Sequence, residues 1–233
     1  MFSALKPQFI FKTVNTLLIT FALSACTQKF NDVNATLDEA FFGTDDVVLS
    51  QQEIIKLPYA SSFVRINGGA KLFMVLAFAE PNPKTGVMQL KWLSSDKAMV
   101  VTEDGRIVKT LGLAQKNLTA ITPINLPSLP SFASINKKQH IWSAEYDWQT
   151  DNRYLFNYEA TITPVLRKTS QLKTTVWEKE ITEVLEVVSI PSLSASFTNQ
   201  YWIDGDGNVV KSHQYLGPDM GDIEMTILKP FAL

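Results

Sequence analysis

From residue 61 to the C-terminus, apolar and polar positions alternate in short runs broken by Gly, Asn, Asp and Ser. Period-two alternation with turn residues at the breaks predicts antiparallel strands joined by hairpins. Ser62–Ile66 and Lys71–Ala79 flank Asn67-Gly68-Gly69, where a tight turn needs residues that accept positive φ. Val87–Leu93 and Ala98–Thr102 are parted by Ser94-Ser95-Asp96, and Asp104-Gly105 turns the chain into Arg106–Leu111. Residues 121–138 carry Pro123, Pro127 and Pro130 among serines and read as a loop or linker. Gln139–Trp148, Arg153–Thr163 and the Thr-, Val- and Leu-rich stretch Thr161–Trp177 resume the strand pattern. Glu178–Val188 fits a helix face as well as a strand, with the strand preferred. Phe197–Ile203, Asn208–Tyr215 and Ile223–Leu228 close the chain. The expected fold is mainly β: curved antiparallel sheets forming a barrel-like or sandwich domain, with a short helical N-terminal segment.

That segment starts at Ser50-Gln51-Gln52-Glu53, which has capping-box spacing, and Pro58 stops it. Residues 26–49 read as a tether with one weak helical stripe, Val33, Leu37 and Phe41. Residues 1–25 read as an export signal. Lys6 and Lys12 precede an apolar run from Val14 to Ala25, about 12 residues against the ~20 needed to span a bilayer. Leu23-Ser24-Ala25-Cys26 resembles a bacterial lipobox, and Cys26 is the sole cysteine of the chain. Its thiol is the expected lipidation site, and two or three acyl chains give stable anchoring. Thr27 rather than Asp after the cysteine resembles an outer-membrane sorting signal.

Two Asp-Gly turns look alike. Glu103-Asp104-Gly105-Arg106-Ile107-Val108 recurs as Gly205-Asp206-Gly207-Asn208-Val209-Val210. Either such hairpins simply recur, or the domain 50–233 holds two related β halves divided near 121–138. Asp204-Gly205-Asp206 begins like a calcium loop, but Val209 and Tyr215 stand where Gly and Glu are required. A hairpin turn is expected there.

Composition narrows the chemistry. The 233 residues are 45% hydrophobic, which excludes wholesale disorder, and the net charge of −2 lacks the basic footprint of a nucleic-acid binder. One cysteine and two distant histidines leave no disulfide framework and no spaced metal-ligand set. No catalytic residue, metal or cofactor is expected. The aromatic residues are more informative. His140, Trp142, Ala144, Tyr146 and Trp148 alternate along one strand, and Tyr154, Phe156, Tyr158, Ala160 and Ile162 along the next. Each set should share a face. That face is either core or a wet platform on which sugar rings stack, with Trp142, Tyr146, Trp148 and Tyr154 as candidate glycan or partner contacts. At least one of Trp142 and Trp148 is expected in the core. Trp148, beside the polar turn Gln149–Asn152, is the one expected to be exposed.

An ordered series of short segments runs along the chain. It includes Leu57-Pro58-Tyr59-Ala60-Ser61-Ser62 with Arg65, then Leu90-Lys91-Trp92-Leu93-Ser94-Ser95-Asp96. Gly105-Arg106-Ile107-Val108-Lys109-Thr110 follows, and Tyr201-Trp202-Ile203-Asp204 and Ser212-His213-Gln214-Tyr215-Leu216-Gly217-Pro218 come near the end. With the lipobox, this series resembles the YjbF/GfcB family, the group 4 capsule polysaccharide lipoproteins of Gram-negative bacteria. The resemblance implies a non-catalytic, periplasm-facing outer-membrane lipoprotein accessory to capsule or exopolysaccharide production and export. It would bind glycan or scaffold an export β-barrel and periplasmic proteins of the same system. Arg65, Arg106, Ser212 and Gln214 match the family as candidate structural polar positions, the arginines as buried partners of a carboxylate. The competing reading is a lipid or lipoprotein carrier with an apolar cavity inside a β-barrel. A closed-in pocket of roughly several hundred Å³ favours the carrier. An exposed aromatic groove favours the glycan binder.

Overall fold

The computed structural model describes residues 46–114, 116–135, 140–150 and 153–232. The export signal, Cys26 and the stripe Val33, Leu37, Phe41 lie outside the described residues. Ser50 opens helix α1 (Gln51–Lys56) with both halves of the capping box formed. The Glu53 backbone N–H donates to the Ser50 hydroxyl at 3.3 Å, and Glu53 Oε2 accepts from the Ser50 N–H at 2.7 Å. Leu57 caps the helix and Pro58 follows, so the helix ends where the sequence places the stop.

Twelve strands follow: β1 (Ser61–Ile66), β2 (Leu72–Pro81), β3 (Met88–Leu93), β4 (Met99–Glu103), β5 (Arg106–Leu111), β6 (Asn117–Pro123), β7 (Trp142–Gln149), β8 (Tyr154–Lys173), β9 (Glu178–Ile190), β10 (Ala195–Asp204), β11 (Val209–Tyr215) and β12 (Asp222–Lys229). They form one antiparallel sheet in the order β5-β4-β3-β2-β1-β12-β11-β10-β9-β8-β7-β6. Apart from β5 and β6, every strand pairs with its neighbours in sequence, and β1 pairs with β12 to join the two ends of the sheet. The edges are β5 and β6, themselves consecutive. Side chains bridge them: Thr110 Oγ1 on β5 accepts from the Leu118 N–H at 3.0 Å, and its hydroxyl donates to Asn117 Oδ1 on β6 at 3.3 Å. The sheet is therefore a nearly closed barrel that leaves little free edge.

The expected strands are present, with three differences. The strand β6 lies partly inside the stretch read as a loop. Pro123 ends it on an edge, where a missing N–H costs no ladder bond. The stretches Arg153–Thr163 and Thr161–Trp177 are one 20-residue strand, β8. Third, Tyr154 and Phe156 do not share a face with Tyr158 and Ile162. Asn157 sits in the left-handed region (φ 62°), and its N–H donates to Asp147 Oδ1 at 2.8 Å. Tyr146 pairs with Tyr158 but Trp148 pairs with Leu155, so β8 carries an extra residue. That bulge turns Tyr154 and Phe156 outward.

Inward positions alternate with outward ones. On β7, Trp142, Ala144, Tyr146 and Trp148 are buried, and on β9 so are Val184, Glu186, Val188 and Ile190. Segment 124–141 joins the paired strands β6 and β7. It buries Leu129 and Phe132, the latter at the start of a one-turn helix α2 (Phe132–Ile135).

Candidate functional site

In an up-and-down sheet, all even-numbered strands end at the same rim. The turns β4–β5, β8–β9 and β10–β11, segment 126–131 and the C-terminal end of β12 meet there around a half-open cavity of about 1300 Å³. Its walls are mostly apolar: Met88, Leu90 and Trp92 from β3, Trp142 from β7, Val210 from β11 and Met225 from β12. The two similar Asp-Gly turns lie side by side at this rim. A Cβ on Gly105 (φ 76°) would fall 2.4 Å from Val209 Cβ, so only glycine allows this approach.

Rim polar groups are held by internal hydrogen bonds. Asp204 Oδ1 accepts from the N–H of Asn208 at 3.0 Å and of Asp206 at 3.2 Å, and Oδ2 accepts from Lys179 Nζ at 2.6 Å. Partial burial opposes ionisation of Asp204, but Lys179 and the backbone donors outweigh it and hold its carboxyl below the ordinary value. This is a turn in which the carboxylate organises the backbone. Asp104 Oδ2 accepts from the Phe132 N–H at 2.9 Å, which fastens segment 124–135 to the β4–β5 turn.

Beneath the cavity, behind Trp142, lies a polar cluster. Arg106 Nη2 donates to Glu186 Oε1 at 2.7 Å, Nε to Oε2 at 3.1 Å, and Nη1 to the Pro130 carbonyl at 2.6 Å. The guanidinium lies 3.8 Å from the Phe132 ring centroid. Both ion-pair partners are buried. Burial works against the charged guanidinium, but the Glu186 carboxylate prevails and keeps Arg106 above its ordinary value. Gln214 fills all its hydrogen-bonding capacity. Nε2 donates to the Gly105 carbonyl at 3.0 Å and to Ser212 Oγ at 2.9 Å, while Oε1 accepts from the Ile107 N–H at 2.9 Å and the Tyr201 hydroxyl at 3.1 Å. It thereby satisfies an N–H of edge strand β5 from across the barrel. Burial, then the nearby Glu186 charge, pushes the Tyr201 and Tyr146 hydroxyls above their ordinary value. Ser212, Gln214 and Arg106 thus sit in one buried network. Arg65 is elsewhere: it is half-exposed and pairs with Asp46, whose Oδ1 also accepts from the Lys71 N–H at 2.8 Å.

The aromatic candidates separate. Trp142, Tyr146 and Trp148 are buried inside the barrel, and Tyr154 is 59% exposed outside it. Trp148 is 2% exposed, contrary to the expectation from its place beside a polar turn. Its Nε1–H donates to the Leu216 carbonyl at 2.7 Å, and Gly217 leaves room for the indole where a Cβ would lie 2.6 Å from Nε1. Outside, Tyr154 and Phe156 lie with ring planes 3° apart and centroids 5.8 Å apart. The sequence offered an apolar barrel cavity only as the competing reading and did not locate its lining, and it missed Glu186 as the partner of Arg106. The signal for the cap over the cavity was Leu126, Leu129 and Phe132, apolar residues recurring inside a proline-rich stretch.

Fold and site together define a nearly closed antiparallel barrel with a cavity open at one rim. The chain belongs to the family described as group 4 capsule polysaccharide lipoprotein GfcB, YjbF, whose model matches residues 34–228. It is 34% identical over 215 residues to the uncharacterized lipoprotein YjbF of Escherichia coli K12, covering 91% of this chain and 95% of that one. It is 30% identical over 216 residues to the uncharacterized lipoprotein GfcB of the same organism, covering 89% and 94%. The crystal structure of the hypothetical lipoprotein YmcC from Escherichia coli K12 superposes with a TM-score of 0.72 at 28% identity, covering 87% of this chain and 96% of that one.

Proposed function

We propose that this chain is a non-catalytic outer-membrane lipoprotein, anchored through Cys26 and facing the periplasm, that serves capsule or exopolysaccharide production and export by binding a ligand in its cavity. The half-open cavity of about 1300 Å³ carries this reading. It exceeds the roughly 300–1,000 Å³ of ordinary small-ligand sites, and a well-packed interior does not leave such space idle. The non-catalytic role is supported by the state of the buried acids: Glu186 is paired with Arg106, Asp204 with Lys179 and its own turn, and Glu103 accepts from the Asn82 and Gln89 side chains. Family membership supplies the capsule setting.

The reading is tested in a strain lacking this chain. Wild type should restore surface polysaccharide. Leu90→Trp, which narrows the cavity from a partly buried wall position, should be produced and fractionate normally yet fail to restore it. Full restoration by a correctly folded Leu90→Trp chain would refute the cavity as the working surface.

A further inference from the structure

The cavity wall indicates what kind of molecule it receives. Many of its polar atoms are engaged by the protein: Thr102 Oγ1 accepts from Trp92 Nε1 at 3.1 Å, Ser212 Oγ from Gln214, Asp104 from the Phe132 N–H, and Asp204 from Lys179, while the buried Trp142 Nε1–H is a donor without a partner among the described residues. Trp177 at the rim donates to the Ile227 carbonyl at 2.8 Å. Sugar hydroxyls entering this space would give up water for a wall with few free partners, which is unfavourable. A hydrocarbon chain loses nothing polar and gains by leaving water. Charge at the rim agrees. Lys179 is neutralised by Asp204, Lys211 Nζ lies 4.8 Å over the Trp202 ring, and Asp206 is exposed. Among the described residues, the rim lysines Lys179 and Lys211 are engaged in this way, and the apolar walls offer their grip to the apolar part of a ligand. Reach agrees as well. Residues 27–45 separate Cys26 from the described body, and covalent geometry limits that stretch to roughly 70 Å. A chain anchored through an acylated Cys26 works at a membrane whose lipids carry acyl chains.

We propose that the cavity binds an acyl chain of a membrane lipid, with the lipid's polar head left at the rim formed by residues 204–211. This rests on the cavity being the working surface and adds the class of its ligand.

The test uses the full-length chain in its own cells, fed with a fatty acid that carries a diazirine and an alkyne tag. After irradiation the protein is isolated and the tagged peptides are mapped. Tag is expected on peptides containing Leu90–Trp92 and Val209–Met225, besides the Cys26 peptide that carries its own acyl chains. The cavity tag should be lost in Leu90→Trp, and also in Asn208→Trp, which plugs the mouth from an exposed turn position without disturbing the core. Tag confined to Cys26 and to outward-facing peptides overturns the proposal, and so does cavity tag that persists in both variants. If Leu90→Trp abolishes surface polysaccharide while wild type never acquires cavity tag, the acyl assignment falls and the cavity keeps its role in export.

Discussion

Trp148 and Tyr154 stand six residues apart and have opposite environments, and their substitutions should separate cleanly. Trp148→Ala removes a buried ring and its hydrogen bond to Leu216, so it should cost about 3–5 kcal/mol in a urea melt. Tyr154→Ala removes an exposed ring and should cost about 0.5 kcal/mol or less. Equal losses for the two would mean that the bulge at Asn157 does not turn the strand as described. The pair Arg106–Glu186 makes a second prediction. Arg106→Met leaves Glu186 as a buried, unpaired carboxylate and should cost about 3–5 kcal/mol, whereas adding Glu186→Leu should recover most of that loss. A double-mutant cycle by chemical denaturation checks it. Residue types in the sequence announced that these positions mattered but not which way they point. An Arg on a strand looks the same whether its carboxylate is near or distant, and the bulge that separates Tyr154 from Tyr158 depends on one Asn in a left-handed conformation.

At the scale of elements, most strands were legible because a half-buried antiparallel strand imposes strict alternation, and the Gly-, Asn- and Asp-bearing turns mark its ends. The strand β6 was not legible, because proline at its end mimics a linker. The joining of β8 across 20 residues was hidden at Thr161–Thr163, where Pro164 follows directly and proline within a strand pattern reads as a break. The β10–β11 turn carries a pH prediction. The Asp204 carboxyl is held below its usual 3.8 by Lys179 and the turn N–H groups. A group depressed in the folded state binds its proton more weakly there than when unfolded. Its contribution is therefore complete above the unfolded value and disappears as the pH falls below 3.8 toward the folded one. Thermal melts from neutral pH down to pH 3 should lose stability over that window. Asp204→Asn should be less stable at neutral pH and show a smaller loss on acidification. An unchanged acid slope in the variant would contradict the role given to Lys179 and the turn.

For the whole molecule, the lipobox and the ordered family segments made class and setting readable, because both are short linear signals. The lining of the cavity was not readable, since it arises from rim segments that are far apart in sequence, among them 88–92, 126–131, 176–179, 204–212 and 225–231. Anchoring is checked separately. Cys26→Ser removes the acyl acceptor, so the variant should accumulate as unprocessed precursor in the inner-membrane fraction. A matured, outer-membrane variant would contradict anchoring at Cys26. The central claim is that this barrel works through its interior rim cavity and not through the exposed ring pair on its outer surface. The most direct measurement is surface polysaccharide in two strains side by side, one producing Asn208→Trp and the other Tyr154→Ser/Phe156→Ser, each confirmed as folded by its melt. The account predicts loss of surface polysaccharide with the plugged mouth and retention with the altered outer rings. Retention with the plugged mouth and loss with the altered rings would contradict it.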